Sequence, residues 1–369
     1  MTANNQTPVF VAMDGGSGNI SMRFTNDRGE VINIITPSLV RRGRLQHGMN
    51  ESTSTWKTQS GELFSVTDDG TSMELVNTCD PEYQLSDANR VLVLNAVAQA
   101  GLGGRPVVIG DTLPAVQYYG GNGIDTARIE AKRRNLMQPI TNYSGELKAP
   151  IVKKVLVFPE AVTAYVSAST LPDGSEHPEF EGVKRSIIID LGRFTCDIAI
   201  VNEHLKVLSC KTTEHGIHVM IDRLHLLLQE HAEEIGLTNA HEIQKSALDE
   251  IIRQGYIGSR AESRKHLRRD ITKYVEQAAM ELATQIREDI RSVLHNMLSI
   301  DMLLFVGGGA NWLGGKLSYL PNLAEAWHDF VFVPDHPELA VTDGVHILME
   351  QRKPQILQEL AMTELTPEA

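Results

Sequence analysis

Two short stretches decide how this chain is read: Asp14-Gly-Gly-Ser-Gly18 and Asp190-Leu-Gly-Arg-Phe-Thr195. The first follows the apolar run Val9 to Met13 and precedes Ile20-Ser-Met-Arg-Phe24, whose apolar residues alternate with period two. An apolar run, a glycine turn and an alternating segment predict a β-hairpin. Thr25-Asn-Asp-Arg-Gly29 is turn-rich and leads into Val31-Ile-Asn-Ile-Ile35, a third strand that completes an antiparallel meander.

The pattern returns around the second stretch. Ser186 to Ile189 is an apolar strand, Asp190 to Thr195 its turn, and Asp197 to Val201 and Leu205 to Ser209 are two further strands. Asp14 lies over Asp190 and Gly16 over Gly192 at one offset, which predicts two similar halves, each opening with a meander. Between them, Ser86 to Ala100 has helical spacing, and Pro106 to Ile109 and Val155 to Phe158 read as strands. Pro159 then opens a helix through Val166. Alternating strand and helix make the class α/β. Leu171 to Gly182, rich in Pro, Gly, Asp and Glu, is the expected interdomain linker.

The second half is more helical, over Ile217 to Ile235, His241 to Arg253 and a long amphipathic stretch from about Glu262 to Leu298. Met302 to Val306 is a buried strand ended by Gly307-Gly-Gly309, and Val331 to Val333 is a last strand. Val341 to Met349 is the last helix, and the tail after Pro354 is either a short helix or mobile.

Composition narrows the function classes. At roughly 150 residues per domain, 369 residues make about two to two and a half domains. Apolar residues are 42% and charged residues 22%, which argues against long disordered tracts and rods. Lys plus Arg is 34 against 47 Asp plus Glu, a formal net charge of −13 that repels nucleic-acid backbones and anionic membranes. Cys79, Cys196 and Cys210 have no CxxC spacing, so a reducing cytosol fits. The N-terminus lacks a leader pattern and no apolar run approaches a bilayer span, so a cytoplasmic protein is expected.

The glycines of the first turn let backbone N–H groups approach a phosphate. No Walker A motif is present, and a strand rather than a helix follows, so a dinucleotide fold fails its context test. Asp14 and Asp190 have two readings. Each caps its own turn, or together they hold the water shell of a phosphate-bound Mg²⁺, which needs only one or two carboxylates. Glu160 sits in a helix first turn, where the macrodipole favours a carboxylate whatever its role. Gly307 to Gly309 either admits a nucleoside ribose or diphosphate, or makes a tight strand-to-helix turn. His215, His218 and His225 are spaced too irregularly for a metal site. Arg41-Arg-Gly-Arg44, Lys132-Arg-Arg134 and Arg264 to Arg269 read as solvated faces, or as surfaces that meet acidic patches of neighbouring copies.

Taken in order, Asp14-Gly-Gly-Ser-Gly18, Pro159-Glu160, Asp190-Leu-Gly192 with Thr195, Gly216 and Gly307-Gly-Gly309 resemble the actin, Hsp70 and sugar-kinase superfamily. More closely, the chain resembles the ParM/StbA family of plasmid-segregating bacterial actins over about residues 9 to 350, with Asp111 to Tyr119, Ile129 to Asn135 and Asp343-Gly-Val345 as further family-like segments. The resemblance implies two actin-like domains with an ATP cleft between them. Domain I would be residues 1–181, completed by a C-terminal helix at about 335–350, domain II residues 182–334, and residues 351–369 a tail. It implies Mg²⁺ held through water by Asp14 and Asp190, with Glu160 as the group that orients or deprotonates water. Gly15, Gly16, Ser17, Gly18, Asn19, Gly192, Arg193, Thr195, Gly216, Gly307, Gly308 and Gly309 would line the nucleotide, ATP by preference with GTP left open.

The implied role is a filament that assembles with ATP, hydrolyses it and moves plasmids through an adaptor protein bound to centromere-like DNA. The acidic chain itself would not touch DNA or membrane. Two departures stand out: Ser21 replaces a lysine common in the family, and Arg193-Phe194 replaces small residues. Arg23, on the strand face of Ser21, and Arg193 are candidates for the missing charge. The alternatives are a small-molecule kinase of the same superfamily and a nucleotide-binding scaffold without turnover.

Overall fold

The computed structural model describes residues 7–44, 54–67, 75–121, 123–143, 145–294, 299–314 and 328–365. The expected helical segment 295–298, residues 1–6 at the N-terminus and the last four residues of the tail lie outside the described residues. The chain divides into two compact units, one of Met1–Lys184, Ala199–Cys210 and Leu339–Ala369, the other of Arg185–Ile198 and Lys211–Glu338.

In unit one the predicted meander is present as β1 (Val9–Gly15), β2 (Asn19–Thr25) and β3 (Val31–Pro37), each pair antiparallel. A small antiparallel sheet follows, built from β4 (Val40–Arg42), β5 (Ser54–Thr58), β6 (Leu63–Val66) and β8 (Ile140–Asn142). The hairpin β5–β6 turns at Gly61, whose φ of +90° suits glycine. Helix α1 (Asp87–Val97) is capped by Ser86, whose hydroxyl accepts from the Asn89 amide. β7 (Pro106–Leu113) and β9 (Ile151–Pro159) extend the main sheet in parallel, giving the order β9-β7-β1-β2-β3. Between them runs α2 (Thr126–Met137), and after β9 comes α3 (Glu160–Ser169). Pro159 ends the strand as N-cap of α3 and does not enter the helix.

Both faces of β1 are buried, in period two. Val11 and Met13 pack with α1 and the small sheet in a core that includes Trp56, Phe64 and Leu92. Phe10 and Ala12 face the other way, against Val345, Met349 and Ile356 of α7 (Ala340–Leu365). That helix continues well past Met349 and through Pro354. Proline costs it a backbone hydrogen bond, but Ile356, Leu357 and Leu360 are packed beyond it and Glu359 pairs with Lys154. Two contacts fix its approach. A Cβ on Gly344 would lie 1.8 Å from the Thr163 carbonyl oxygen of α3, and one on Gly110 would lie 2.2 Å from Met349 Sδ.

A second five-stranded sheet is built on β10 (Arg185–Leu191), β11 (Cys196–Asn202), β12 (Val207–Thr213), β13 (Met302–Val306) and β14 (Val331–Phe332). Its order, β12-β11-β10-β13-β14, repeats that of unit one, with β13 parallel to both β10 and β14. Its helices differ from the sequence expectation. The helix from Ile217 stops at Glu230 (α4) and a separate turn, Ala232–Ile235, follows. The His241 to Arg253 segment is a 3₁₀ turn followed by α5 (Lys245–Gln254). The stretch from Glu262 is not one helix either: a 3₁₀ segment, Glu262–Leu267, precedes a short strand, Arg269–Asp270, and only Thr272–Val293 is helical (α6). The strand is drawn into pairing with Tyr256 and Ile257, and the Arg268 guanidinium lies 4.5 Å from the Tyr256 ring centre.

Candidate functional site

On the face of the unit-one sheet covered by α7, three strands carry parallel rows of residues at period two. Phe10 and Ala12 lead to Asp14, Val108 and Gly110 to Thr112, and Leu156 and Phe158 to Glu160. The apolar part of each row is core, and the polar residue stands at the carboxyl end of its strand, where parallel sheets place their ligand sites. Thr112 Oγ1 is 3.1 Å from Asp14 Oδ1 and 3.4 Å from Glu160 Oε1. One hydroxyl therefore lies between two carboxylates, Asp14 of β1 and Glu160 at the start of α3, with a single proton to donate to either. Glu160 is buried in the first turn of α3, so its charge meets the positive end of the helix.

The turn after Asp14 is held through its carbonyls. Gln84 Nε2 donates to the Gly15 carbonyl at 3.0 Å, Ser38 Oγ to Gly16 at 2.7 Å, Thr78 Oγ1 to Ser17 at 2.7 Å, and the Ser38 amide to Gly18 at 3.0 Å. A peptide group is planar and trans, so a carbonyl pinned inward turns the next N–H outward. The amides of Gly16, Ser17, Gly18 and Asn19 thus each point away from the anchor of the carbonyl before them. Gly16 has no room for a side chain, since a Cβ would stand 2.9 Å from the Asn19 carbonyl oxygen.

In unit two, Asp190 stands at the end of β10, and the turn closes with the Gly192 amide donating to the Thr195 carbonyl at 2.9 Å. Two glycine segments press on this strand end. Gly216, the N-cap of α4, sits where a Cβ would be 2.4 Å from the Phe194 carbonyl carbon, and the Ile217 and His218 amides donate to Gly192 and Arg193. Gly307, at φ +82°, would place a Cβ 2.3 Å from Asp190 Oδ1, and Gly309 would place one 2.4 Å from Leu191 Cγ. Gly308 has open space in front of it. Asp190, Gly192, Arg193, Thr195, Gly216, Gly307 and Gly309 are therefore gathered around one strand end.

Neither candidate for the missing positive charge points to a turn in this state. Arg23 Nη1 is 2.5 Å from Asp343 Oδ1 of α7, and Arg193 Nη1 is 2.6 Å from Asp249 Oδ1 of α5. The three histidines go separate ways. His215 meets Asp289 at 2.5 Å, His218 faces the Arg193 carbonyl at 3.3 Å and His225 faces Gln229 at 3.2 Å. Near them, burial pushes the Cys196 thiol and the Asp197 carboxyl upward, the latter against hydrogen bonds from Thr212 and Thr195. Among the described residues no group of three or more His, Cys, Asp and Glu side chains could hold a metal ion.

Sequence reasoning overlooked Thr112, Gln84, Ser38 and Thr78. Thr112 was findable, because it continues the period-two row of Val108 and Gly110. The other three come from distant loops and left no local signal. The reading of Lys132-Arg-Arg134 as a solvated face is corrected at Lys132, whose side chain has 0% exposure. It sits inside unit one because Asp111 offers a buried partner at 2.9 Å.

Residues 9–170 match the family model for the N-terminal part of plasmid segregation protein ParM, and residues 188–319 match that for the C-terminal part of the archaeal MreB-like actin homologue. No curated protein matches the chain. Among solved structures, the actin-like protein Alp7A is similar at TM-score 0.70 and 16% identity, over 96% of this chain and 100% of that one. The archaeal actin homologue Ta0583 is similar at TM-score 0.68 and 18% identity, over 93% and 99%. The pSK41 ParM protein is similar at TM-score 0.62 and 16% identity, over 95% and 99%. Ta0583 has also been solved with ADP, and a ParM from Clostridium botulinum as a 15-stranded filament. No described helix is long and apolar enough to cross a membrane. The N-terminal half thus matches the ParM family and the C-terminal half the MreB-like actin homologues, on a two-unit fold of the actin-like kind.

Proposed function

We propose that this protein is an actin-like ATPase that assembles into filaments with Mg-ATP and hydrolyses ATP in the filament, serving plasmid partition through a DNA-bound adaptor. The observation that carries the catalytic reading is the row of Asp14, Thr112 and Glu160 at the carboxyl ends of three parallel strands, with one hydroxyl between the two carboxylates. The outward amides of Gly16 to Asn19 suit phosphate oxygens, and the bare Gly16 keeps the backbone within reach. Asp14 and Asp190, at matching strand ends, are carboxylates of the kind that hold an ion through its water shell. When bound, Mg²⁺ neutralises charge on the phosphates.

In this reading Glu160 accepts a proton from water or holds the water in line. Thr112, by donating to a carboxylate, fixes the rotamer of its acceptor and leaves the second oxygen for water. Phosphoryl transfer demands mostly such positioning. Titration of the purified chain with a fluorescent ATP analogue, together with phosphate release, tests the reading. Saturable Mg-dependent binding and slow release are expected, and no binding would refute it.

A further inference from the structure

Lys132 is a buried charge that the catalytic row does not use. Its side chain and that of Asp111 are both 0% exposed, and its Nζ lies 2.9 Å from Asp111 Oδ2. The same ammonium donates to Gln84 Oε1 and, at 3.4 Å, to Asn89 Oδ1. Two of these partners, Asp111 and Gln84, then act on the backbone of one residue, Gly15. Asp111 Oδ1 accepts from the Gly15 amide at 3.2 Å, and Gln84 donates to the Gly15 carbonyl at 3.0 Å.

Gly15 is thus gripped on both sides by side chains that Lys132 holds. The glycine also lies directly on this network: a Cβ there would be 3.2 Å from Asn89 Nδ2 and 3.3 Å from Asp111 Oδ1. A fully buried ion pair gives little stability over an apolar pair of the same shape, so stability does not account for it.

We infer that Lys132 is a positioning residue of the first glycine turn, setting the Gly15 backbone, and through it the outward amides of Gly16 to Asn19, for a nucleotide's phosphates. This rests on the nucleotide reading above. It deepens it by tracing the order of the turn to a cation two contacts away, on the side of the sheet opposite Asp14 and Glu160. Asp111 and Gln84 transmit the effect, and Lys132 itself touches no ligand.

The test uses the double variant Lys132→Met/Asp111→Leu, which removes both charges and spares the fold a stranded carboxylate. Its melting temperature should fall by only a few degrees, the cost of the Gly15 amide losing its acceptor. Amide exchange of the peptide spanning Asp14 to Ser21, read without nucleotide, should accelerate about tenfold or more. Affinity for Mg-ATP should fall by about tenfold or more, the scale on which misplaced groups act.

Unchanged exchange in the folded double variant overturns the inference, and so does faster exchange with unchanged affinity. Should the double variant not fold, Gln84→Leu, which leaves the ion pair in place and frees the Gly15 carbonyl, must still speed exchange at the turn. Unchanged exchange there also overturns it. A parent that binds no nucleotide refutes the ATPase reading alone, because exchange still decides whether Lys132 sets the turn.

Discussion

Asp111 and Thr112, neighbours on β7, hold the two residues that open the first turn from opposite sides of the sheet. Asp111 Oδ1 accepts from the Gly15 amide at 3.2 Å, and Thr112 Oγ1 donates to Asp14 Oδ1 at 3.1 Å. Strand pleating alone creates this division, since successive side chains face opposite ways. One strand end therefore serves a buried scaffold on one side and a polar row on the other.

Glu160→Gln keeps the size and burial of the side chain and removes its basicity. Steady-state phosphate release should fall by about 10²–10⁴-fold, the usual share of a general base. Mg-ATP binding should stay within about threefold of the parent, because the acidic turns are untouched. A variant that still turns over normally excludes Glu160 as the base.

Thr112→Val removes the hydroxyl between the two carboxylates without changing side-chain volume. A buried carboxylate oxygen then loses a donor, at a cost of about 1–3 kcal/mol to stability. Turnover should drop about tenfold or more while Thr112→Ser restores most of it. Equal rates for valine and serine would show that the hydroxyl is irrelevant.

Arg193 is held by Asp249 in this state, so its use at a phosphate requires exchange of one anion for another. Asp249→Asn should tighten Mg-ATP binding severalfold, and Arg193→Ala should weaken it. Isothermal titration of both variants reads the two signs. Unchanged affinity in Arg193→Ala removes arginine from the phosphate site.

Gly344→Ala probes the crossing of α7 and α3, where a Cβ would lie 1.8 Å from the Thr163 carbonyl oxygen. The helices must separate, and about 1–3 kcal/mol of stability should be lost in urea unfolding. Gly121→Ala, which meets nothing within 4 Å, is the control and should change little. Equal losses in both would show that the crossing is loose.

His346, also on α7, is held below its usual 6.5 by burial first and then by the Arg23 charge, while Glu350 and Asp343 oppose the shift. The fold therefore prefers the neutral ring. Stability from this group is complete above the unfolded value of 6.5 and is lost as pH falls toward the lower native value. Urea midpoints from about pH 7.5 down to about pH 5 should decline less steeply for His346→Gln than for the parent. Parallel slopes would assign the decline to other groups.

The sequence made some of this plain and hid the rest for physical reasons. Glycine turns after apolar strands are local signals, so Asp14, Asp190 and both meanders were legible, whereas the order in which the later parallel strands join them was not. Lys132 was not, because a Lys-Arg-Arg run reads as surface and only the distant Asp111 makes burial tolerable. The break in the long stretch after Glu262 was equally silent. No glycine or proline marks it, and pairing of Arg269 and Asp270 with Tyr256 and Ile257 overrides the helical pattern. Pro354 misled in the other direction, since packing of Ile356 and Leu360 outweighs the lost hydrogen bond.

The central claim is that nucleotide drives assembly. High-speed sedimentation of the purified chain with Mg-ATP, with Mg-ADP and without nucleotide tests it most directly. Protein should enter the pellet with Mg-ATP and stay in solution in the other two. Protein that stays in solution in all three would contradict the filament account.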